Sequence, residues 1–322
     1  MRTPMKGRIR IRAAAILLAT LSLAVLASIP AQAAAKKTYF TGEETSLSQV
    51  PGTMLTDGQN TYFLGRELVA REDITDPRLN GTGHFCYTIE ANLATWTATY
   101  WGTSRIVPDI GGGEWNGHWV ASMTPEGTTI QMTAVGSDDY EGLVARLTYT
   151  SGPEKLQIAG YIVEAKGGPG DRPFKVKACR TERMESLPCT VLDPLTWEPV
   201  DPAEFKTIVR LDVLSEVGQA THAGRISNDG LALLDPESGA ATGRGMATAA
   251  NGDELFWVYS GSLDSETGVA QGSVDFCGGT GRFDAAVGGF DLEDLEINPE
   301  ETDEEGVFMS DYCYSGSGTI RY

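Results

Sequence analysis

After its first 33 residues the chain is built of short runs that alternate apolar and polar positions, rich in Thr, Val, Tyr and Trp. A period of two sends successive side chains to opposite faces, so these runs predict antiparallel strands rather than helices. In 95–101 (TWTATYW), Trp96, Ala98 and Tyr100 fall on one face and Thr97, Thr99 and Trp101 on the other. In 114–120 (EWNGHWV), Trp115, Gly117 and Trp119 share a face, as do Leu255, Trp257 and Tyr259 in 254–260 (ELFWVYS). Turn chemistry separates such runs: Asn80-Gly81, Pro125-Glu126-Gly127, Asn228-Asp229-Gly230 and Asn251-Gly252-Asp253, with two acidic turns, 235–239 and 264–268, ending in Gly. Gly accepts the positive φ such turns need, and Asx side chains bond their own backbone.

Two segments repeat one pattern. In 136–147 (GSDDYEGLVARL) and 279–290 (GTGRFDAAVGGF), a Gly is followed four residues on by an aromatic, Tyr140 or Phe283, and then by Val144 or Val287. Upstream, Trp115-Asn116-Gly117 and Tyr259-Ser260-Gly261 stand 19 and 18 residues before the turn glycine, measured Gly to Gly. A period of this kind predicts an internal duplication. Residues 166–203 break the texture with Gly, six prolines and two cysteines. They read as a linker or disulfide-pinned excursion between a module at 34–165 and a second at 204–322. The predicted fold is all-β, two tandem antiparallel barrels.

Residues 1–33 have the layout of a cleavable signal peptide. Five basic residues precede the apolar run Ala13–Ile29, then Pro30 and the small-x-small triplet Ala31-Gln32-Ala33. No later stretch is apolar enough to span a bilayer as a helix, so the expectation is an exported protein, secreted or in the cell envelope, without stable membrane insertion after cleavage. The leader holds five of the 25 basic residues and none of the 44 acidic ones, which leaves a formal charge of −24 on the remainder. So acidic a surface repels phosphate backbones and excludes nucleic acid as a partner.

An oxidising compartment permits disulfides. Of Cys86, Cys179, Cys189, Cys277 and Cys313, the expected pairs are Cys179–Cys189, across a short loop, and Cys277–Cys313, across two strands. This leaves Cys86 free. No CxxC spacing suggests zinc or a redox pair.

The segment 277–289 (CGGTGRFDAAVGG) resembles the Gly-Gly-Thr-Gly-x-Phe signature of dirigent proteins and, more loosely, of allene oxide cyclases. The matching positions are Gly278, Gly279, Thr280, Gly281, Phe283, Ala286 and Gly288. The resemblance covers 204–322 and implies a hairpin in an eight-stranded antiparallel barrel, with Gly278, Gly279, Gly281 and Phe283 in structural roles. The families' acid, base and pocket residues have no counterpart that can be placed on this chain. Ten acids between Asp284 and Glu305 depart from the family pattern and read as a solvated loop.

Chemistry is sparse. His84, His118 and His222 lack ligand-spaced neighbours, and no G-x-S-x-G elbow, P-loop or dinucleotide fingerprint occurs. The carboxylates Glu114, Asp138, Asp139 and Glu141 sit at turns, where neighbouring acids diverge. No catalytic residue, cofactor or defined metal site is assigned. The acidic stretch 284–305 leaves calcium as a candidate partner. The aromatic set Trp96, Tyr100, Trp101, Trp115 and Trp119 is the candidate ligand-facing surface, for a glycan or a small hydrophobic molecule. The expected function is non-enzymatic binding or an envelope role; the alternative is a dirigent- or cyclase-like isomerase or coupling guide acting on a substrate held in a barrel.

Overall fold

The computed structural model describes residues 36–164, 171–201, 204–263, 269–296, 301–302 and 307–322, so the leader, the turn 264–268 and most of 297–306 lie outside the described residues. Among the described residues there is no α-helix. The chain begins with β1 (Lys37–Val50), β2 (Thr53–Thr56), β3 (Asn60–Ile74), β4 (Gly81–Asn92) and β5 (Thr97–Pro108). It continues through β6 (Trp115–Thr124), β7 (Gly127–Gly136), β8 (Leu143–Ser151) and β9 (Leu156–Glu164). From β3 to β9 each strand pairs antiparallel with the next, and β1 pairs with both β3 and β9. That is a closed eight-stranded antiparallel barrel, with β2 an additional strand paired to β3.

The remaining strands are β10 (Arg172–Leu192), β11 (Phe205–Ala220), β12 (Gly224–Leu234), β13 (Ala240–Ala249) and β14 (Glu254–Leu263). After them come β15 (Val269–Gly279), β16 (Val287–Glu296), β17 (Glu301–Thr302) and β18 (Val307–Arg321). Here β10 to β16 pair in order, β16 pairs with β18, and β18 pairs with β10. The end of β10 then leaves β18 and pairs with β2, Thr190 opposite Thr56.

Inward-facing side chains form separate apolar clusters. One gathers Phe40, Phe85, Tyr87, Trp115, Trp119, Met132 and Tyr149 from β1–β9 and its turns. Another gathers Phe174, Val176, Trp257, Phe276, Phe283 and Phe290 from β10–β18. A third is made of outward-facing residues of both halves, Leu55, Tyr62, Trp101, Cys189, Ile208, Leu233, Val258 and Cys277. Across this seam Trp101 Nε1 donates to Thr242 Oγ1 at 2.9 Å, and buried Arg146 donates to the Cys277 carbonyl at 3.3 Å.

The duplicated turn is a local structural repeat. β7 runs into a 3₁₀ turn at Asp138–Tyr140, and β15 into one at Gly281–Phe283. Ser137 N–H donates to the Glu114 carbonyl, as Thr280 N–H donates to that of Glu254. The same left-handed position is filled by Asp138 (φ 52°) in one copy and Gly281 (φ 55°) in the other. Tyr140 and Phe283 both plug into the core.

Several expectations are corrected. The stretch 166–203 is not a linker: its residues 172–192 form the longest strand, whose outward Lys175, Lys177 and Cys179 alternate with inward Phe174, Val176 and Ala178. Pro173 and Pro188 lie within it toward its two ends, while the strand's centre is unbroken. Cys179 therefore cannot reach Cys189, because ten residues of strand separate them by about 33 Å. Cys179 instead bonds Cys313, its direct register partner on β18, at a Cα–Cα distance of 3.9 Å. Cys277 and Cys189 are free and buried in the seam, and Cys86 is free and exposed. Asn228-Asp229-Gly230 is no turn but the middle of β12, where a Cβ on Gly230 would meet the Trp257 ring at 2.8 Å. The aromatic-x-Gly pairing is four residues out of register: Trp115 lies opposite Gly136, and it is Leu255, not Tyr259, that lies opposite Gly279. Asp291 to Glu296 of the supposed acidic loop belong to β16.

Candidate binding site

The inward face of β10 is apolar for three steps, Phe174, Val176 and Ala178, and then carries Arg180 and Glu182. A slip in the β10–β11 register after Thr181 lets Glu182 share the interior with Glu216 of β11. Both glutamates are buried, at 2% and 3% exposure, too deep to be ordinary surface acids. Arg180 joins them: its guanidinium meets Glu182 Oε1 at 2.5 Å and Glu216 Oε2 at 3.8 Å. Tyr314 of β18 donates its hydroxyl to Glu216 Oε1 at 2.8 Å, and Arg180 lies over its ring. Asn228 Nδ2 donates to Glu216 Oε2 at 3.3 Å, and Trp257 Nε1 donates to Asn228 Oδ1 at 2.9 Å.

This chain of polar groups edges a cavity of about 100 Å³. The rest of the wall is apolar, with Phe174, Val176, Trp257, Val274, Phe276 and Phe290 prominent. Burial, followed by the Glu216 charge, pushes the Tyr314 phenol well above its usual range; burial likewise raises Tyr259. Tyr314 is therefore a standing donor at any ordinary pH. Among the described lining residues these side chains supply both hydrogen-bond donors and acceptors that can orient a polar group of a guest.

The candidate aromatics do not form one surface. Trp96 is 67% exposed in the β4–β5 turn, at φ 54°. Trp101 is buried in the seam. Trp115 stacks on Tyr140 and donates to the Arg78 carbonyl at 2.7 Å, a packing role. Tyr100 and Trp119 alone share a cavity, in the interior of the β1–β9 barrel. The glycines of the Gly-Gly-Thr-Gly segment serve close approach: a Cβ on Gly278 (φ +92°) would meet Thr133 Oγ1 at 2.7 Å, across the seam. The turn acids are structural as well. Asp139 accepts from Gly112 N–H, and Glu114 pairs with Arg105.

The histidines also lie apart. His84 is exposed on β4, His222 caps the Pro173 carbonyl, and His118 lies 3.9 Å from Asp275 with its pKa lowered by burial. Among the described residues no group of His, Cys, Asp and Glu is arranged to hold a metal ion.

Arg180, Glu182, Glu216 and Tyr314 escaped the reading of the sequence. The signal was present in β10, where the period of two places Arg180 and Glu182 on the same face as Phe174, Val176 and Ala178. Glu216 gave a weaker one, because the register slip between Asp212 and Val217 interrupts the alternation of β11.

Comparison with protein-family models, with curated proteins and with solved structures finds no match.

Proposed function

We propose that the protein binds a small, largely apolar molecule bearing a hydroxyl, inside a second barrel formed by β10–β16 and β18. The observation that carries this reading is the buried Arg180–Glu182–Glu216–Tyr314 cluster at the edge of an otherwise apolar cavity. Apolar walls supply affinity, and a few convergent polar groups fix orientation. The guest's hydroxyl would donate to a glutamate, and its body would lie against Trp257 and Phe276. The repeated pairing order supports reading the chain as two tandem barrels, and the Gly-Gly-Thr-Gly hairpin supports a dirigent-like ancestry for the second. Export is the setting that the leader and the Cys179–Cys313 bond suit.

A second reading rests on one contact. Tyr314 and Glu216 form a donor–carboxylate pair of the kind that moves protons on a bound substrate, which favours an isomerase or coupling role on the same guest.

The test is a binding screen of small aliphatic alcohols against their methyl ethers, read by Trp fluorescence. Hydroxyl-bearing guests are expected to bind and their ethers to bind at least tenfold more weakly. Ala220→Phe, which fills the cavity, and Glu216→Gln should both remove that preference. Equal binding of alcohol and ether by the wild type and both variants would refute the proposal. Conversion of a bound guest, lost in Tyr314→Phe while binding remains, would establish the second reading.

A further inference from the structure

The interior of the β1–β9 barrel holds another cavity, of about 210 Å³, walled by Phe85, Tyr87, Tyr100, Trp119 and Met132. A dry apolar cavity of roughly 150 Å³ is enough to admit a benzene ring. Two acids belong to this interior. Glu44 on β1 lines the cavity, and its register partner on β3 is Glu72, which is wholly buried. A Cβ on Gly83 would come within 3.0 Å of Glu72 Oε1, so the glycine leaves the carboxyl its space.

The polar inventory here is incomplete. Glu44 and the hydroxyl of Tyr149, a cavity-lining residue 1% exposed, stand near enough to Glu72 to contribute to its electrostatics, but no well-aligned hydrogen bond reaches either Glu72 oxygen or that hydroxyl. A buried acceptor or hydroxyl without a well-made hydrogen bond is costly, so a guest that supplied one would be favoured here. The charged neighbours do not supply it. Arg71, adjacent on β3, is held by Asp73 and Asp109. Arg66 lies over the Phe63 ring and acts on Tyr87 and Tyr100 rather than on the two glutamates. Gln49 is engaged with the Tyr87 hydroxyl. Tyr87, Tyr100 and Tyr149 are all raised by burial and stay neutral. Burial raises Glu44, and burial together with the Glu44 charge raises Glu72 further, so the pair keeps a proton that exposed glutamates would have lost.

We propose that this cavity is a binding site for a small organic ammonium ion, whose N–H groups donate to Glu44, Glu72 and Tyr149 while its body packs against Tyr100 and Trp119. Facing carboxyls attract positive charge, and aromatic ring faces add cation–π attraction. On binding, the ammonium replaces the proton of the carboxyl pair. That proton goes to solvent, and the interior charge is unchanged.

The test is calorimetry on the whole protein with benzylammonium and with benzyl alcohol, which has nearly the same shape. It is run near neutral pH in two buffers of different protonation enthalpy. The amine is expected to bind at least tenfold more tightly than the alcohol and to release close to one proton. Glu72→Gln should weaken the amine at least tenfold, and Glu44→Gln provides the same test through the other carboxyl should the first variant not fold. Glu216→Gln should leave it unchanged, which separates this site from the one proposed in the other half. Equal affinity for amine and alcohol, absence of amine binding, or full affinity in both glutamine variants would overturn the proposal.

Discussion

The two halves carry buried charge in the same part of their architecture and resolve it differently. Phe40 stands opposite Gly160, and Phe174 opposite Gly318, on corresponding strand pairs. Four residues beyond each phenylalanine, the N-terminal half has Glu44 opposite Glu72, while the C-terminal half has Ala178 opposite Gly218. The C-terminal ion pair, Arg180 opposite Glu216, comes one inward step later. The polar interiors are therefore not one duplicated site. One half meets its acids with a retained proton, the other with an arginine and a hydrogen bond from a tyrosine, and only the second is pinned by a disulfide.

The comparison is sharpest where the covalent link is cut. Cys179–Cys313 closes 134 residues, which by chain entropy is worth about 5 kcal/mol. Denaturant unfolding of a Cys179→Ala/Cys313→Ala variant should show a loss of that order in the C-terminal half, with the N-terminal half little changed. Arg180→Met comes next. It leaves two buried glutamates without their guanidinium and should cost about 3–5 kcal/mol, read in the same experiment.

Glu72→Gln is the N-terminal counterpart, and its effect depends on pH. The folded pair holds protons more tightly than the unfolded chain. Its contribution is thus complete below the ordinary glutamate value of 4.5 and is lost as pH rises through the raised folded value. Wild-type stability should fall through that window by up to about 1.4 kcal/mol per pH unit for each linked proton, and Glu72→Gln should flatten the decline. The smallest effect tests the seam. Trp101→Phe removes the hydrogen bond to Thr242 and should cost about 1 kcal/mol, seen as a modest drop in melting temperature.

Strand identity was legible wherever alternation was uninterrupted: Trp115, Gly117 and Trp119 do share an inward face, as do Leu255, Trp257 and Tyr259. What failed was whatever depends on partners distant in sequence. The outward burial of Trp101 arises from a seam with residues 141 positions away, which no local period encodes. The expected cysteine pairing differs from the observed one because the proline content of 166–203 points to a loop, whereas 172–184 alternates as a strand. Gly230 was mistaken for a turn glycine because its purpose, space for the Trp257 ring, lies on another strand. The polar interiors were hidden for a related reason. Glu44, Glu72, Arg180 and Glu216 look like ordinary surface charges until strand pairing places them in the interior.

Because β1 reaches both β3 and β9, the N-terminal ring presents no open row of backbone amides and carbonyls. An unpaired sheet margin is the usual template on which strands of neighbouring molecules stack into fibres. Molecules of this protein in contact must therefore meet there through side chains, and a surface crowded with like charge holds them apart.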